Sequence, residues 1–354
     1  MFLLNKIIVH AQTKENKGAN KMIVSWMTTN QCNLTCKHCY QDAGNQKEAE
    51  LTTEEGKKLI DEIARAGFKI MIFSGGEPLM RPDIYELVAY AASKGLRPVF
   101  GTNGMLITKE VAQKLKDAGA MAMGISLDSL NEAKHNEFRG HPEAFARTVQ
   151  GMKNCKEVGL PFQIHTTIMD WNKSEILDII DFAVEMGAMA EYIFFLIPVG
   201  RGVYIEETAV EVMEYENLLR SIMEKQKEVP IAIKPTCAPQ FTRVAKQLGV
   251  DIDPRFTRGC LAGLTYCIIS PTGKVRPCAY MVEEAGDVHE QPFDEIWKNA
   301  DVFQTLRTQA YKGACGKCGY KTICGGCRAR SAYYHDGDIL QEDSYCAFGK
   351  QLTK

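Results

Sequence analysis

The sequence predicts an α/β fold in two parts, a partial barrel of six βα units followed by a smaller cysteine-rich module. Three observations predict it. Between residues 22 and 200, short β-rich runs alternate with amphipathic helical patterns, the rhythm of a parallel sheet joined by crossover helices. Several of the helical runs stop at a glycine, which closes a helix with a left-handed turn. After residue 259 the helical runs shorten while Cys and Gly become frequent, a texture that suits a metal-stapled unit with little apolar core.

The strand candidates, in order, are MIVSWMTT, KIMIFSG, RPVFGTN, MAMGISLD, FQIHTTIM and YIFFLIPV. They are short apolar runs bounded by turn-forming residues. Between them the pattern predicts helices over 53–66, 83–94, 108–118, 143–158 and 174–187, with Gly67, Gly95, Gly119, Gly159 and Gly187 at their C-terminal ends. Six such steps fit a partial (β/α)6 barrel of the TIM type over 21–205, after an N-terminal extension at 1–20. The units share no sequence self-similarity. A helical bridging region, 206–259, then leads through IAIKPTCAPQFTRV to the cysteine-rich module at 260–354.

The chain of 354 residues is 45% hydrophobic and 24% charged, and 42 Lys and Arg against 44 Asp and Glu leave a formal net charge of −2. That balance gives no basic field for nucleic acid or an anionic membrane. The longest apolar run, YIFFLIPV, is far short of the ~18 residues of a membrane span and reads as a buried strand. The N-terminal apolar patch is too short and too broken for a secretory signal, so a cytoplasmic protein is expected. Thirteen cysteines in such a protein point to metal or cluster ligation rather than disulfides: three lie within 32–39 and eight within 260–346.

The first strand runs into TTNQCNLTCKHCYQDAG, where Cys32, Cys36 and Cys39 are spaced by four and three. Parallel barrels carry their chemistry on the loops at the C-terminal ends of the strands, so the triplet is placed for function. Three soft ligands leave a tetrahedral site one short. Zinc with His38 as fourth ligand is one reading, although His38 directly precedes Cys39 and would have to fold back on the same metal. Unligated buried thiols are a second. The third is a [4Fe–4S] cluster whose unliganded iron binds a small molecule.

Other strand ends add to the same face. SGGEP at 74–78 closes the second strand: adjacent glycines let backbone approach a ligand, and Glu77 offers an acceptor for an ammonium group. GTNG follows the third strand, ISLDS the fourth and PVGRG the sixth, where the planar fork of Arg201 is a candidate carboxylate anchor. Turn chemistry after strands, with Asp128 as a helix cap, is the plainer reading of several of these.

Cys-x3-Cys-x2-Cys on the first βα loop, with His38 just before the last Cys and GGEP behind the next strand, resembles the radical S-adenosylmethionine (SAM) enzymes. The resemblance implies that Cys32, Cys36 and Cys39 hold a [4Fe–4S] cluster, whose open iron chelates the amine and carboxylate of SAM. An electron from the cluster then breaks the sulfonium bond to give a 5′-deoxyadenosyl radical. It implies further that Gly75, Gly76 and Glu77 hold the amino group of SAM and that Asn103, Ser126 and Asp128 lie near its methionyl and ribose parts. Arg139 would meet its carboxylate, and His38 would belong to the same cofactor site.

The tail carries Cys260, Cys267, Cys278, Cys315, Cys318, Cys324, Cys327 and Cys346, enough for two four-ligand sites; two zincs of the ribbon type would suit them equally well. Their arrangement, Cys…Gly-x4-Cys…Cys-x2-Cys-x5-Cys…Cys, resembles the SPASM extension of radical SAM enzymes, which implies two auxiliary [4Fe–4S] clusters. By motif order Cys260, Cys267, Cys278 and Cys327 hold the first, and Cys315, Cys318, Cys324 and Cys346 the second. The Cys324 to Cys327 gap is shorter than the family's usual one, which leaves that partition open. Fully ligated clusters cannot bind SAM, so electron relay and stapling are their expected work. Cys237 stands outside both sets as a candidate hydrogen donor, an iron ligand for substrate, or a small buried thiol; Cys155 reads as core.

TTNQCNLTCKHCYQDAG, PVGRG and PTCAPQFTRV together resemble the SPASM radical SAM enzymes of haem d1 and alternative, siroheme-dependent haem biosynthesis. That implies a siroheme-derived tetrapyrrole substrate attacked at an acetate or propionate side chain, with Arg201, Lys234 and Arg243 as carboxylate partners. It also implies a reductant such as flavodoxin or ferredoxin. A maturase of ribosomally made peptides shares the two domains, but residues 1–20 are too few for a leader-binding domain. From another class, the chain could be a metal-stapled binding scaffold without turnover, against which the complete cysteine triplet and GGEP argue.

Overall fold

The computed structural model describes residues 22–44 and 49–352; the expected extension at 1–20 lies outside them. Strands β1 (Ile23–Met27), β2 (Ile70–Ser74), β3 (Arg97–Thr102), β4 (Ala122–Ser126) and β5 (Phe162–Ile168) fall inside the expected runs, and β6 (Ala190–Phe195) starts two residues ahead of its run. Helices α1 (Thr53–Arg65), α2 (Ile84–Ser93), α3 (Lys109–Asp117), α5 (Ala144–Val158) and α6 (Ile176–Met186) connect them, with a short α4 (Glu132–Arg139) inserted after β4. Thr52 and Glu55 form a reciprocal capping box on α1, and left-handed Gly159 and Gly187 end α5 and α6.

Four more strands join the sheet: β7 (Ala232–Thr236), β8 (Tyr266–Ile269), β9 (Lys274–Arg276) and β10 (Gly286–Asp287). The order is β10-β9-β8-β1-β2-β3-β4-β5-β6-β7. All pairs from β8 through to β7 are parallel, while β8, β9 and β10 form an antiparallel edge. Two features differ from the sequence expectation. The 206–259 region is not only helical: between α7 (Val212–Lys225) and α8 (Phe241–Leu248) it supplies β7, whose Pro235 reads as a loop signal but is tolerated at the sheet edge. The cysteine-rich module shares the barrel's sheet, because β8 pairs with β1 in the register Val24 to Cys267 and Ser25 to Ile268.

Side chains alternate across each strand. Trp26, Met71, Phe73 and Phe100 turn toward the helices and meet Leu59, Ile63 and Leu87 in the main core, where each buried large apolar side chain contributes about 1.5–3 kcal/mol. A second cluster joins Ile193 and Phe195 of β6 to Tyr215, Leu219 and Phe241. The opposite face of the sheet carries Ser74, Ser126, His165 and Tyr192, only partly buried, and it is this face that the cysteine loop overhangs.

Candidate active site

The cysteine loop leaves β1 and is fastened first to the loop after β2. Gly76 N–H donates to Thr29 O and Glu77 N–H to Gln31 O, both at 2.8 Å. A Cβ on Gly75, at φ +140°, would lie 2.5 Å from Thr29 O, and one on Gly76 would lie 2.2 Å from Gln31 O. The glycines thus let two backbones meet, a close approach that any Cβ would block. Arg201 fastens the far side: Nε donates to Cys36 O at 2.9 Å, and Nη1 to Asp42 Oδ1 at 2.8 Å and Ala43 O at 3.1 Å. With Nε and Nη1 both held by the loop, Arg201 serves as a brace in place of the expected substrate anchor.

Glu77 is fully buried, and no cation pairs with it among the described residues. Its oxygens accept from Thr102 Oγ1 at 2.7 Å, Asn103 N at 2.9 Å and Leu79 N at 3.2 Å; burial outweighs these donors and pushes its carboxyl up to about 7. A buried acid with donors but no counter-charge fits a ligand ammonium. Asn103 works behind it, its side chain donating to Asn33 Oδ1 at 2.8 Å and accepting from Met105 N at 2.9 Å. Ser126 is half-buried on the open face, with Oγ 3.3 Å from Thr102 O.

Asp128 and Arg139 form a buried ion pair, Nε to Oδ2 2.6 Å, with Thr167 N donating to Asp128 Oδ1 at 2.9 Å. Burial alone would raise the Asp128 carboxyl, but Arg139 holds it below the usual range. Asp128 is therefore committed inside the protein, and Asn131, not Asp128, caps the following helix. The other arm of Arg139 lies 3.8 Å from Cys36 Sγ. His38 stacks on Phe138 at 4.5 Å, and burial and then Arg139 hold its imidazole down to about 3. A neutral ring in that stack packs the loop.

In the tail, Cys315, Cys318, Cys324 and Cys346 line one cavity. Amide N–H groups point at its sulfurs, Tyr320 N to Cys318 at 3.4 Å, Gly326 N to Cys324 at 3.5 Å and Gly349 N to Cys346 at 3.3 Å. The first set assembles differently from the expectation. Burial and then the charges of Cys327, Cys278 and Cys260 push the Cys237 thiol well up, so these four sulfurs are neighbours. Cys267 is corrected out of the set: β8 alternation turns it to the helix side, where it is fully buried in the apolar core and no other cysteine perturbs it. Cys237, at φ +58°, has its carbonyl held by Arg330. The period-two pattern of TYCII, with Cys267 in step with Ile269, is the signal that could have shown this.

Each cysteine set has its own guanidinium. Arg139 serves the loop, Arg330 the set containing Cys237 and Cys327, and Arg328 lies 3.8 Å from Cys315 Sγ. Sets of partly buried cysteines, with amide donors and one arginine each, fit anionic iron–sulfur clusters, whose potential depends on such charges and hydrogen bonds. Among the described residues no three His, Cys, Asp or Glu side chains converge on the position of a single ion.

Comparison with known proteins agrees with this chemistry. The Radical SAM superfamily profile matches residues 26–183, and that of SPASM, an iron–sulfur cluster-binding domain, matches 260–319. The AdoMet-dependent heme synthase of Methanosarcina barkeri is 44% identical over 338 residues, 92% of this chain and 96% of the relative. That of Nitratidesulfovibrio vulgaris is 40% identical over 349 residues, 95% of each chain. Streptococcus suis SuiB bound to S-adenosylmethionine shares the fold, with a TM-score of 0.74 at 19% identity, over 98% of this chain and 81% of SuiB. The chain belongs to the radical SAM superfamily, in the branch that carries the SPASM domain. It is an enzyme that uses [4Fe–4S] clusters and SAM.

Proposed function

We propose that the enzyme makes haem, abstracting hydrogen from a propionate side chain of a siroheme-derived iron tetrapyrrole. Its relatives named AdoMet-dependent heme synthase, similar over nearly the whole chain, support this. The observation that carries it within the molecule is Lys234. It lies on the open sheet face of β7, opposite Tyr192, is buried at 7% exposure, and has no carboxylate partner among the described residues. Its ammonium sits 4.2 Å over Phe241, 5.1 Å over Phe256 and a long 3.4 Å from Arg258 O, and burial pulls it down to about 7. A buried amine so placed is ready for a substrate carboxylate. Arg243 is not such an anchor, since Glu216 takes both its terminal nitrogens at 3.0 and 2.6 Å.

When bound, the cluster and SAM supply the radical. The chain's residues do the rest. Glu77 takes the ammonium of SAM, while Arg139 and Arg201 hold the cysteine loop in register. Lys234 fixes one carboxylate, so that the carbon beside it faces the cofactor, and Tyr192 and Phe194 form an apolar wall. We assign Cys32, Cys36 and Cys39 to the SAM-binding cluster, Cys237, Cys260, Cys278 and Cys327 to the first auxiliary cluster, and Cys315, Cys318, Cys324 and Cys346 to the second. A flavodoxin or ferredoxin is the proposed electron source.

The test is anaerobic turnover of the reconstituted enzyme, at about twelve irons per chain, with dithionite, SAM and iron-coproporphyrin III. This compound bears propionates where haem bears vinyl groups. Release of 5′-deoxyadenosine together with conversion of propionate to vinyl is expected, with the Lys234→Met variant raising the tetrapyrrole KM about tenfold or more, as loss of a charged hydrogen bond does. Release of 5′-deoxyadenosine with the tetrapyrrole unchanged would overturn the substrate assignment and favour a peptide.

A further inference from the structure

Two tyrosines outside the site described so far lie where the first two cysteine sets approach each other. Tyr40 directly follows Cys39, and Tyr280 follows Cys278 by two residues. Their rings meet at 5.4 Å with a tilt of 60°, the one ring contact between the cysteine loop and the cysteine-rich module among the described residues. The Tyr40 hydroxyl bonds the Ser74 side chain at the end of β2, and the Tyr280 amide donates to the Cys278 thiol. The path from Cys39 to Cys278 is thus a covalent step, one aromatic contact and one hydrogen bond. A tilted ring pair of this kind is a good packing contact in its own right. Its position between two redox sites gives it a second use.

That use follows from the electron balance of the proposed reaction, on which this inference rests. Cleaving SAM consumes one electron at the three-cysteine site. The 5′-deoxyadenosyl radical takes one hydrogen atom from the propionate, R–CH2–CH2–COO⁻, leaving R–CH•–CH2–COO⁻. Breaking the bond to the carboxylate gives R–CH=CH2, CO2 and one electron. The electron consumed equals the electron released, but the two events belong to different places: the second calls for an oxidised acceptor, which the first auxiliary [4Fe–4S] cluster supplies. We propose that Tyr40 and Tyr280 form the bridge by which that electron returns from the first auxiliary site to the SAM-binding site, so that the reductant primes the enzyme and is not consumed at every turnover.

The experiment uses the loaded full-length enzyme with Tyr40→Leu, Tyr280→Leu and the ring-preserving Tyr280→Phe. Without substrate, each is partly reduced by deazaflavin photoreduction, and the electron's redistribution between the two clusters is followed by freeze-quench electron paramagnetic resonance. Redistribution should slow by more than an order of magnitude in both Leu variants and stay near wild type in Tyr280→Phe, at equal iron content and equal cluster signals. Unchanged redistribution in the Leu variants overturns the bridge. With iron-coproporphyrin III and limiting dithionite, wild type should form several vinyl groups per electron supplied, and the Leu variants one. One vinyl per electron in wild type also overturns it. Failure of the substrate assignment looks different: 5′-deoxyadenosine forms without any vinyl product, and the substrate-free redistribution still decides the bridge.

Discussion

At the scale of single residues, the site is governed by buried charge. Cys267 is fully buried and Cys237 partly so, and only Cys237 lies among other cysteines. Cys237→Ala should therefore lower iron by about four atoms per chain, measured by iron analysis and resonance of the reduced clusters. Cys267→Ala should keep the iron and lose only a packing contact of about 1–2 kcal/mol. The reverse pattern would restore Cys267 to the set. Glu191 on β6 is fully buried, and its Oε2 has no hydrogen-bond partner. Burial raises its carboxyl well above the ordinary 4.5, so it is protonated in the fold, sharing Thr166 Oγ1 at 2.8 Å. The unfolded chain releases that proton above about 4.5 while the fold keeps it, so stability falls as pH rises, by up to about 1.4 kcal/mol per unit. Glu191→Gln removes the dependence. Its anaerobic thermal midpoint should gain on wild type at pH 8 relative to pH 6, and parallel pH profiles would refute the assignment.

At the scale of elements, the loops at the strand ends hold one another. The 3-10 segment Gly200–Thr208 after β6 reaches across the barrel mouth so that Arg201 can take Cys36 O, Asp42 and Ala43 O together. Removing this fork should loosen the cysteine loop by about 2–3 kcal/mol, from hydrogen bonds of roughly 1 kcal/mol each. Arg201→Ala is expected to weaken SAM binding about tenfold or more while leaving the iron of the auxiliary sites in place. Arg201→Lys should rescue little, because an ammonium cannot span three acceptors in that geometry. Titration with SAM, followed by the change in cluster resonance, checks both. Arg201 was legible as a functional residue; its partners, about 160 positions away in sequence, were not.

At the scale of the whole molecule, one sheet carries everything. Because β8 of the cysteine-rich module closes the free edge of β1, the tail completes the barrel's sheet as well as carrying clusters. A chain ended at residue 258 would expose the edge of a long parallel sheet, a template for self-association. Such a chain should aggregate on expression, by size-exclusion chromatography, whereas full-length protein with Cys315 replaced by Ala should stay monodisperse. A monodisperse, SAM-binding 1–258 fragment would show that the barrel stands alone. Among the described residues no helix is long and apolar enough to cross a membrane.

The amino-acid sequence by itself determined the six central strands and their helices, the three-cysteine loop, and the set Cys315, Cys318, Cys324 and Cys346. Those features rest on short-range periodicity and local spacing, which the chain carries wherever it folds. Only the tertiary structure brings Cys237 beside Cys260, Cys278 and Cys327, leaves Lys234 buried with no carboxylate partner among the described residues, and ties Arg201 to the cysteine loop and Arg243 to Glu216. These depend on strand order and on which face an alternating residue presents. A strand's neighbours come from distant parts of the chain, and a shift of one residue reverses every side chain, so spacing along the sequence does not fix them.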